Sequence, residues 1–93
     1  MKIIGFIWLE EIIEKLEVKH QVTADEVEQV FDHQPRVKRM SKGRFHGEDV
    51  YRALGQTDAG RYLVIFFIHK LTHEATMLSA RDMDDKERKS NAR

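Results

Sequence analysis

A chain of 93 residues with 41% hydrophobic content is long enough for one domain around one small core, expected to span 1–93, and too short to hold much stability in reserve. It has no cysteine, which excludes a disulfide framework and a thiolate zinc site and agrees with a reducing cytoplasm. The formal net charge is zero, yet residues 1–35 hold three Lys/Arg against eight Asp/Glu and residues 36–93 hold thirteen against eight, so only the second half suits a polyanion.

The apolar stretch Ile3 to Leu9 follows Lys2 but runs directly into Glu10-Glu11 with no small-residue cleavage site, which argues against a signal peptide. Ile3, Ile4, Phe6, Ile7 and Trp8, interrupted by Gly5, predict a short edge strand. From Leu9 to about Lys19, apolar Leu9, Ile12, Ile13 and Leu16 recur at helical spacing, with Glu10, Glu11, Glu14, Lys15 and Glu17 on the remaining surface. Lys19 and His20 fall in the last turn of this amphipathic helix, where the negative end of the helix dipole favours cations. Thr23-Ala24-Asp25-Glu26 has the capping-box pattern, so a second helix starts there, carrying Ala24, Val27, Val30 and Phe31 on one stripe. It must stop before Pro35. His20-Gln21-Val22 makes the pair an αα-hairpin.

Beyond Pro35, Arg36 to Met40 predicts a strand, Ser41 to Glu48 a loop, and Asp49 to Leu54 a strand with Val50, Arg52 and Leu54 on one face and Tyr51 and Ala53 on the other. Gly55 to Gly60 reads as a hairpin connection. Tyr62 to Ile68 is apolar on both faces, Tyr62, Val64, Phe66 and Ile68 against Leu63, Ile65 and Phe67, as expected of a central strand covered on both sides. The run is too short to cross a bilayer, and the chain is expected to be soluble. After the turn Lys70-Leu71-Thr72, His73 to Ala80 predicts the last strand, with Ala75, Met77, Ser79 and Arg81 on one face if the pleat is regular. Asp82 or Asp84 then caps a terminal helix holding Lys86, Glu87, Arg88 and Lys89, polar nearly all round and in need of something docked on it. The order β-α-α-β-β-β-β-α predicts an α+β fold, with two N-terminal helices packed on an antiparallel meander and a short C-terminal helix.

His20, His33, His46, His69 and His73 form no established ligand spacing, so neither a metal nor a cofactor is expected. A P-loop, a nucleotide-binding glycine fingerprint and a nucleophile elbow are absent, and Ser41, Ser79 and Ser90 read as ordinary hydrogen-bonding residues. What remains is a set of cations. Arg36, Lys38, Arg39, Lys42 and Arg44 fall in one stretch without an acid, which serves either as a solvated face or as an RNA phosphate contact. Arg81, Arg88, Arg52, Lys19 and His20 suit metal-free phosphodiester chemistry. Attack by RNA's own 2′-hydroxyl needs a base for that proton, positive donors for the crowded phosphorane, and an acid or charge for the leaving oxygen. Arg supplies a planar fork that matches phosphate oxygens, and His a proton that is mobile near neutral pH. The same residues fit plain nucleic-acid binding, and His20 fits helix capping equally well.

The run Lys15 to Val22, then Glu26 to Phe31, Gly43-Arg44, Gly47 to Gly55, Gly60 to Val64, Ser79-Ala80-Arg81 and Glu87-Arg88 resembles the BrnT family of type II toxins in order and over nearly the whole chain. The resemblance implies a RelE-like fold and a metal-independent endoribonuclease that arrests translation in the cytoplasm. It also implies a cognate BrnA-type antitoxin, which neutralises the toxin in a hetero-oligomer and represses the shared operon through its own DNA-binding domain. Carried over by position, the family's Lys-His pair falls on Lys19 and His20, its Arg before Leu-Gly on Arg52, its strand-end Arg on Arg81 and its terminal Glu-Arg on Glu87 and Arg88. Arg81 is then the phosphate-stabilising residue, Arg52 and Arg88 assist, and His20 or Lys19 transfers a proton or positions substrate. Gln21 stands where the family usually has Gly. The alternative is a catalytically silent module of the same fold that binds an antitoxin or RNA through Arg36 to Arg44.

Overall fold

The computed structural model describes residues 1–43 and 47–91, which leaves Arg44 of the expected RNA-binding segment, and His46, outside the described residues. Strand β1 (Gly5–Ile7) leads into helix α1 (Glu10–His20), whose Leu16 is fully buried. The acidic pair Glu10 and Glu11 opens α1, and Lys19 and His20 close it, as the helix dipole favours. Gln21 ends the helix at φ 51°, in the left-handed region that glycine enters freely and other residues at a cost of about 1–2 kcal/mol. Val22 then folds back beneath the helix, its N–H donating to the Leu16 carbonyl at 3.1 Å and its side chain buried.

Helix α2 (Ala24–Asp32) begins at the expected capping box: Thr23 Oγ1 accepts from the Glu26 N–H at 3.1 Å, and Glu26 Oε1 accepts from the Thr23 N–H at 3.0 Å. Val27 and Val30 are buried. The indole N–H of Trp8, just ahead of α1, donates to Glu28 in the middle of α2 at 2.8 Å and ties the start of α1 to that helix.

Strands β2 (Arg36–Ser41), β3 (Val50–Gln56), β4 (Tyr62–His69) and β5 (Glu74–Asp82) form the expected antiparallel meander, and β1 joins it as a parallel edge strand beside β5, giving the order β1-β5-β4-β3-β2. Helix α3 (Asp85–Asn91) follows. One face of the sheet, with Ala53, Leu63, Ile65, Phe67, Ala75, Met77 and Ala80, receives Leu16, Val22, Val27 and Val30 from the helices. Each such fully buried aliphatic or aromatic side chain contributes about 1.5–3 kcal/mol.

Two details depart from the sequence expectation. Gly55 does not start the hairpin turn, because β3 continues to Gln56. A Cβ on Gly55 would lie 2.8 Å from Val30 Cγ1 and 3.2 Å from Pro35 Cβ, so this glycine allows α2 and its exit to approach the sheet. The turn's left-handed residue is Gly60, at φ 89°.

The second departure concerns β5. Phe67 pairs with Met77, but Phe66 pairs with Ser79, so Leu78 is an extra residue in a β-bulge. A regular pleat would place Ser79 and Arg81 on one face with Ala75 and Met77. The bulge reverses the alternation after Met77: Ala75, Met77 and Ala80 face the helices, whereas Ser79 and Arg81 turn to the opposite face.

Candidate functional site on the open face of the sheet

Cross-strand register assembles this opposite face row by row. Arg36, Leu54, Val64 and Arg81 make one row across β2, β3, β4 and β5; Lys38, Arg52, Phe66 and Ser79 make the next. Helix α3 lies over one end, where Leu54, Val64 and Met83 are buried with Tyr62 and Phe66 packed beside them. Polar as it is, α3 is held by side chains of the sheet: Arg36 donates to the Ser90 carbonyl, and the Arg88 guanidinium lies 4.4 Å from the centroid of the Tyr62 ring.

Arg81 provides the third tie. Its Nη1 donates to Glu87 Oε1 at 2.8 Å and its Nη2 to Glu87 Oε2 at 3.0 Å. Glu87 also belongs to the cap of α3, accepting from the Asp84 N–H at 2.9 Å while Asp84 Oδ1 accepts from the Glu87 N–H at 2.8 Å. The hydrogen bonds from Arg81 hold the Glu87 carboxyl below the usual carboxylate range against the opposing effect of burial, and the positive charge of Arg52 adds to them. Reciprocally, Glu87 pushes the pKa of Arg81 up.

Arg52 is half-buried, and its Nε is buried with no hydrogen-bond partner among the described residues. An unmatched buried donor costs about 1–3 kcal/mol. It lines a cleft of about 310 Å³ with Arg36, Val37, Lys38, Leu54 and Ser90, positively charged and open to solvent. Arg36, Lys38, Arg52, Arg81 and Arg88 are thus brought to one face. Arg39 points to the other side of β2 and pairs with Asp49 at 3.4 Å, and Lys42 follows the strand, exposed.

Lys19 and His20 stand behind this face. They end α1, which packs on the helix-covered side, and among the described residues no hydrogen bond or ion pair joins their side chains to Arg52, Arg81 or Arg88. They nonetheless reach the same end of the sheet, since β1 pairs only with the first part of β5 and leaves Ala80, Arg81 and Asp82 at an open rim. His20 is close enough to Asp82 for its charge to lower that carboxyl, after the larger effect of the Arg61 hydrogen bonds.

Arg61 is a residue to which sequence reasoning gave no role. It donates to the Gln21 carbonyl at 2.7 Å, the His20 carbonyl at 3.0 Å, Asp82 at 2.8 and 3.2 Å, and Glu26 at 3.3 and 3.4 Å. It therefore fastens the C-terminus of α1 and the capping box of α2 to the end of β5, which fixes His20 relative to Arg81. Only long-range contacts reveal this, so no local signal in the sequence announces it.

A cavity of about 700 Å³ lies on the helix-covered side among Ile3, Phe6, Phe31, Val37 and Tyr51, with Asp32 the one charged side chain among the described residues that line it. Among the described residues no three His, Asp or Glu side chains converge as a metal site, and no helix is long and apolar enough to cross a membrane.

Clustered arginines on the open sheet face of a small α+β protein form an arrangement that suits an anionic ligand. Residues 8–87 match the family described as the ribonuclease toxin BrnT of type II toxin–antitoxin systems, and the chain belongs to that family. Membership makes it a ribonuclease toxin and implies an antitoxin partner. No curated protein matches the chain.

Proposed function

We propose that the open face of the sheet binds RNA and cleaves it without a metal ion. One observation supports this reading: Arg81 by hydrogen bonds and Arg52 by its charge act on the same anion, the Glu87 carboxylate, as both would on a bound phosphate. A fork that grips two carboxylate oxygens also matches two phosphate oxygens.

In the proposed reaction the RNA 2′-oxygen bonds to the adjacent phosphorus and the bond from phosphorus to the 5′-oxygen breaks. The 2′-hydroxyl proton passes to a base, and the leaving oxygen gains a proton. Arg81 and Arg52 hold the nonbridging oxygens, on which negative charge grows in the phosphorane, and Arg88 adds a third cation when it leaves Tyr62. His20 or Lys19, at the rim where β5 lacks a partner strand, transfers a proton or positions the substrate. Arg36 and Lys38 guide the RNA backbone along the open face of β2 and Lys42 and Arg44 follow them in the sequence, whereas Arg39, on the other side of the strand with Asp49, has no part in that face. Cleavage arrests translation in the cytoplasm, and a cognate BrnA-type, DNA-binding antitoxin neutralises the toxin in a hetero-oligomer.

A second reading, a catalytically silent module that binds antitoxin or RNA, is favoured by the fact that Glu87 already fills the Arg81 fork. Incubating the purified chain with RNA in EDTA separates the two. The first reading expects cleavage that falls at least about 100-fold in Arg81→Ala while the variant stays folded, a loss in line with removal of a transition-state donor. Absence of cleavage and of growth arrest, with antitoxin binding intact, would establish the silent module.

A further inference from the structure

Phe66 is the large aromatic at the centre of the open face. It lies on β4, directly opposite Arg52 on one neighbouring strand and Ser79 on the other. The Arg81 guanidinium carbon lies over its ring, 5.9 Å from the centroid, a looser contact than the 4.4 Å of Arg88 over Tyr62. The apolar residues packed beside it under α3, Leu54, Val64 and Met83, are buried, whereas Phe66 keeps part of its surface in solvent. Tyr62, the other half-exposed aromatic here, is occupied by Arg88. Among the described residues no aromatic ring stacks on Phe66. The bulge at Leu78 interrupts the pairing immediately beside it, and such bulges re-aim side chains next to sites.

A half-exposed ring between two arginines suits one ligand part in particular. Every nucleobase has a flat π-face, and Phe66 accepts that face once the Arg81 guanidinium over the ring turns to the flanking phosphate. We infer that Phe66 is the platform on which the base beside the scissile phosphate stacks. This rests on the proposal that RNA is cut on the open face. Stacking tolerates all four bases, so Phe66 sets a requirement for a single-stranded, unpaired nucleotide rather than for a sequence. Phe66 is a positioning residue: it aligns the 2′-oxygen with phosphorus and takes no proton.

The test uses the full chain and a single-stranded RNA cut by the wild type, beside the same RNA with abasic nucleotides flanking the cleavage position. Phe66→Leu, which keeps apolar volume, is expected to lose about tenfold or more in kcat/KM on normal RNA, with kcat falling as well as KM rising, and Phe66→Tyr to retain activity. On abasic RNA the wild type should fall to the level of Phe66→Leu. Equal cleavage of normal RNA by Phe66→Leu and wild type, with Arg81→Ala inactive, would overturn the stacking role and leave the cleavage site standing. If Arg81→Ala is also fully active, the placement of the reaction on this face fails as well. Thermal melting of each variant identifies a loss that comes from unfolding, and the response to abasic RNA, measured on the wild type alone, decides the question if Phe66→Leu is unfolded.

Discussion

Arg81 and Glu87 meet at two points, Nη1 to Oε1 at 2.8 Å and Nη2 to Oε2 at 3.0 Å, so one carboxylate both caps α3 and fills the arginine fork. If the fork is meant for phosphate, Glu87 competes with RNA for it. Glu87→Gln is expected to tighten binding of a non-cleavable RNA by about threefold to tenfold, since the charged competitor is gone. The same change lowers stability by about 1–2 kcal/mol through the weakened cap and ion pair. Fluorescence anisotropy and urea unfolding measure the two effects, and weaker RNA binding in the variant would argue that Glu87 itself contacts the substrate.

Gln21 holds a left-handed backbone conformation at the end of α1. Replacing it with glycine should raise stability by about 1 kcal/mol, after allowance for the looser unfolded chain. A lower urea midpoint would show that the Gln21 side-chain bond to the Val18 carbonyl outweighs the backbone strain.

Arg61 is expected to matter for stability first. Arg61→Ala removes bonds to two helix-terminal carbonyls and two carboxylates, and should cost about 2–3 kcal/mol. Because it fixes the end of α1 against β5, a folded Arg61→Lys variant should also lose activity if His20 or Lys19 takes part. A Lys variant of normal activity and reduced melting temperature would confine Arg61 to a structural role.

Acid should destabilise the fold by a definite route. The Glu87, Asp82 and Asp49 carboxyls are held below the usual range, first by hydrogen bonds from Arg81, from Arg61 and from the Gly43 N–H respectively. A carboxyl whose pKa is lower in the folded than in the unfolded chain adds stability that is fully present above the unfolded value, about 4, and is lost as pH falls through the folded value. Stability from these groups should therefore be level from neutral pH to about 5 and decline below about 4. Unfolding by urea at a series of pH values checks this. Glu87→Gln should decline less steeply, and an identical slope would mean that the Arg81–Glu87 pair adds little to acid sensitivity.

The elements that sequence reasoning placed correctly are those set by neighbours in the chain. Thr23 and Glu26 announce α2 because a capping box is local chemistry, and Tyr62 to Ile68 announces a central strand because both of its faces are apolar. Arg52 and Arg81 were singled out by chemistry and resemblance, but their common face was not legible. That face depends on Leu78 being skipped in the pairing of β5 with β4, a matter of two strands rather than one, so a regular pleat placed Arg81 with Ala75 and Met77. For the same reason Gly55 read as a turn residue, whereas contact with Val30 and Pro35 from a distant helix and its exit explains it. Phe66 read as core because a strand apolar on both faces does not disclose that one of them is only half covered.

The central claim, that RNA lies on the open sheet face, is tested most directly by NMR. The ¹⁵N-labelled chain is titrated with a single-stranded RNA that carries 2′-deoxynucleotides and resists cleavage. Amide shifts should concentrate on Arg52, Phe66, Ser79 and Arg81 and on α3, whose ties to Arg81 and Tyr62 must loosen. Shifts confined to the outer surfaces of α1 and α2, with β3, β4 and β5 silent, would contradict the account.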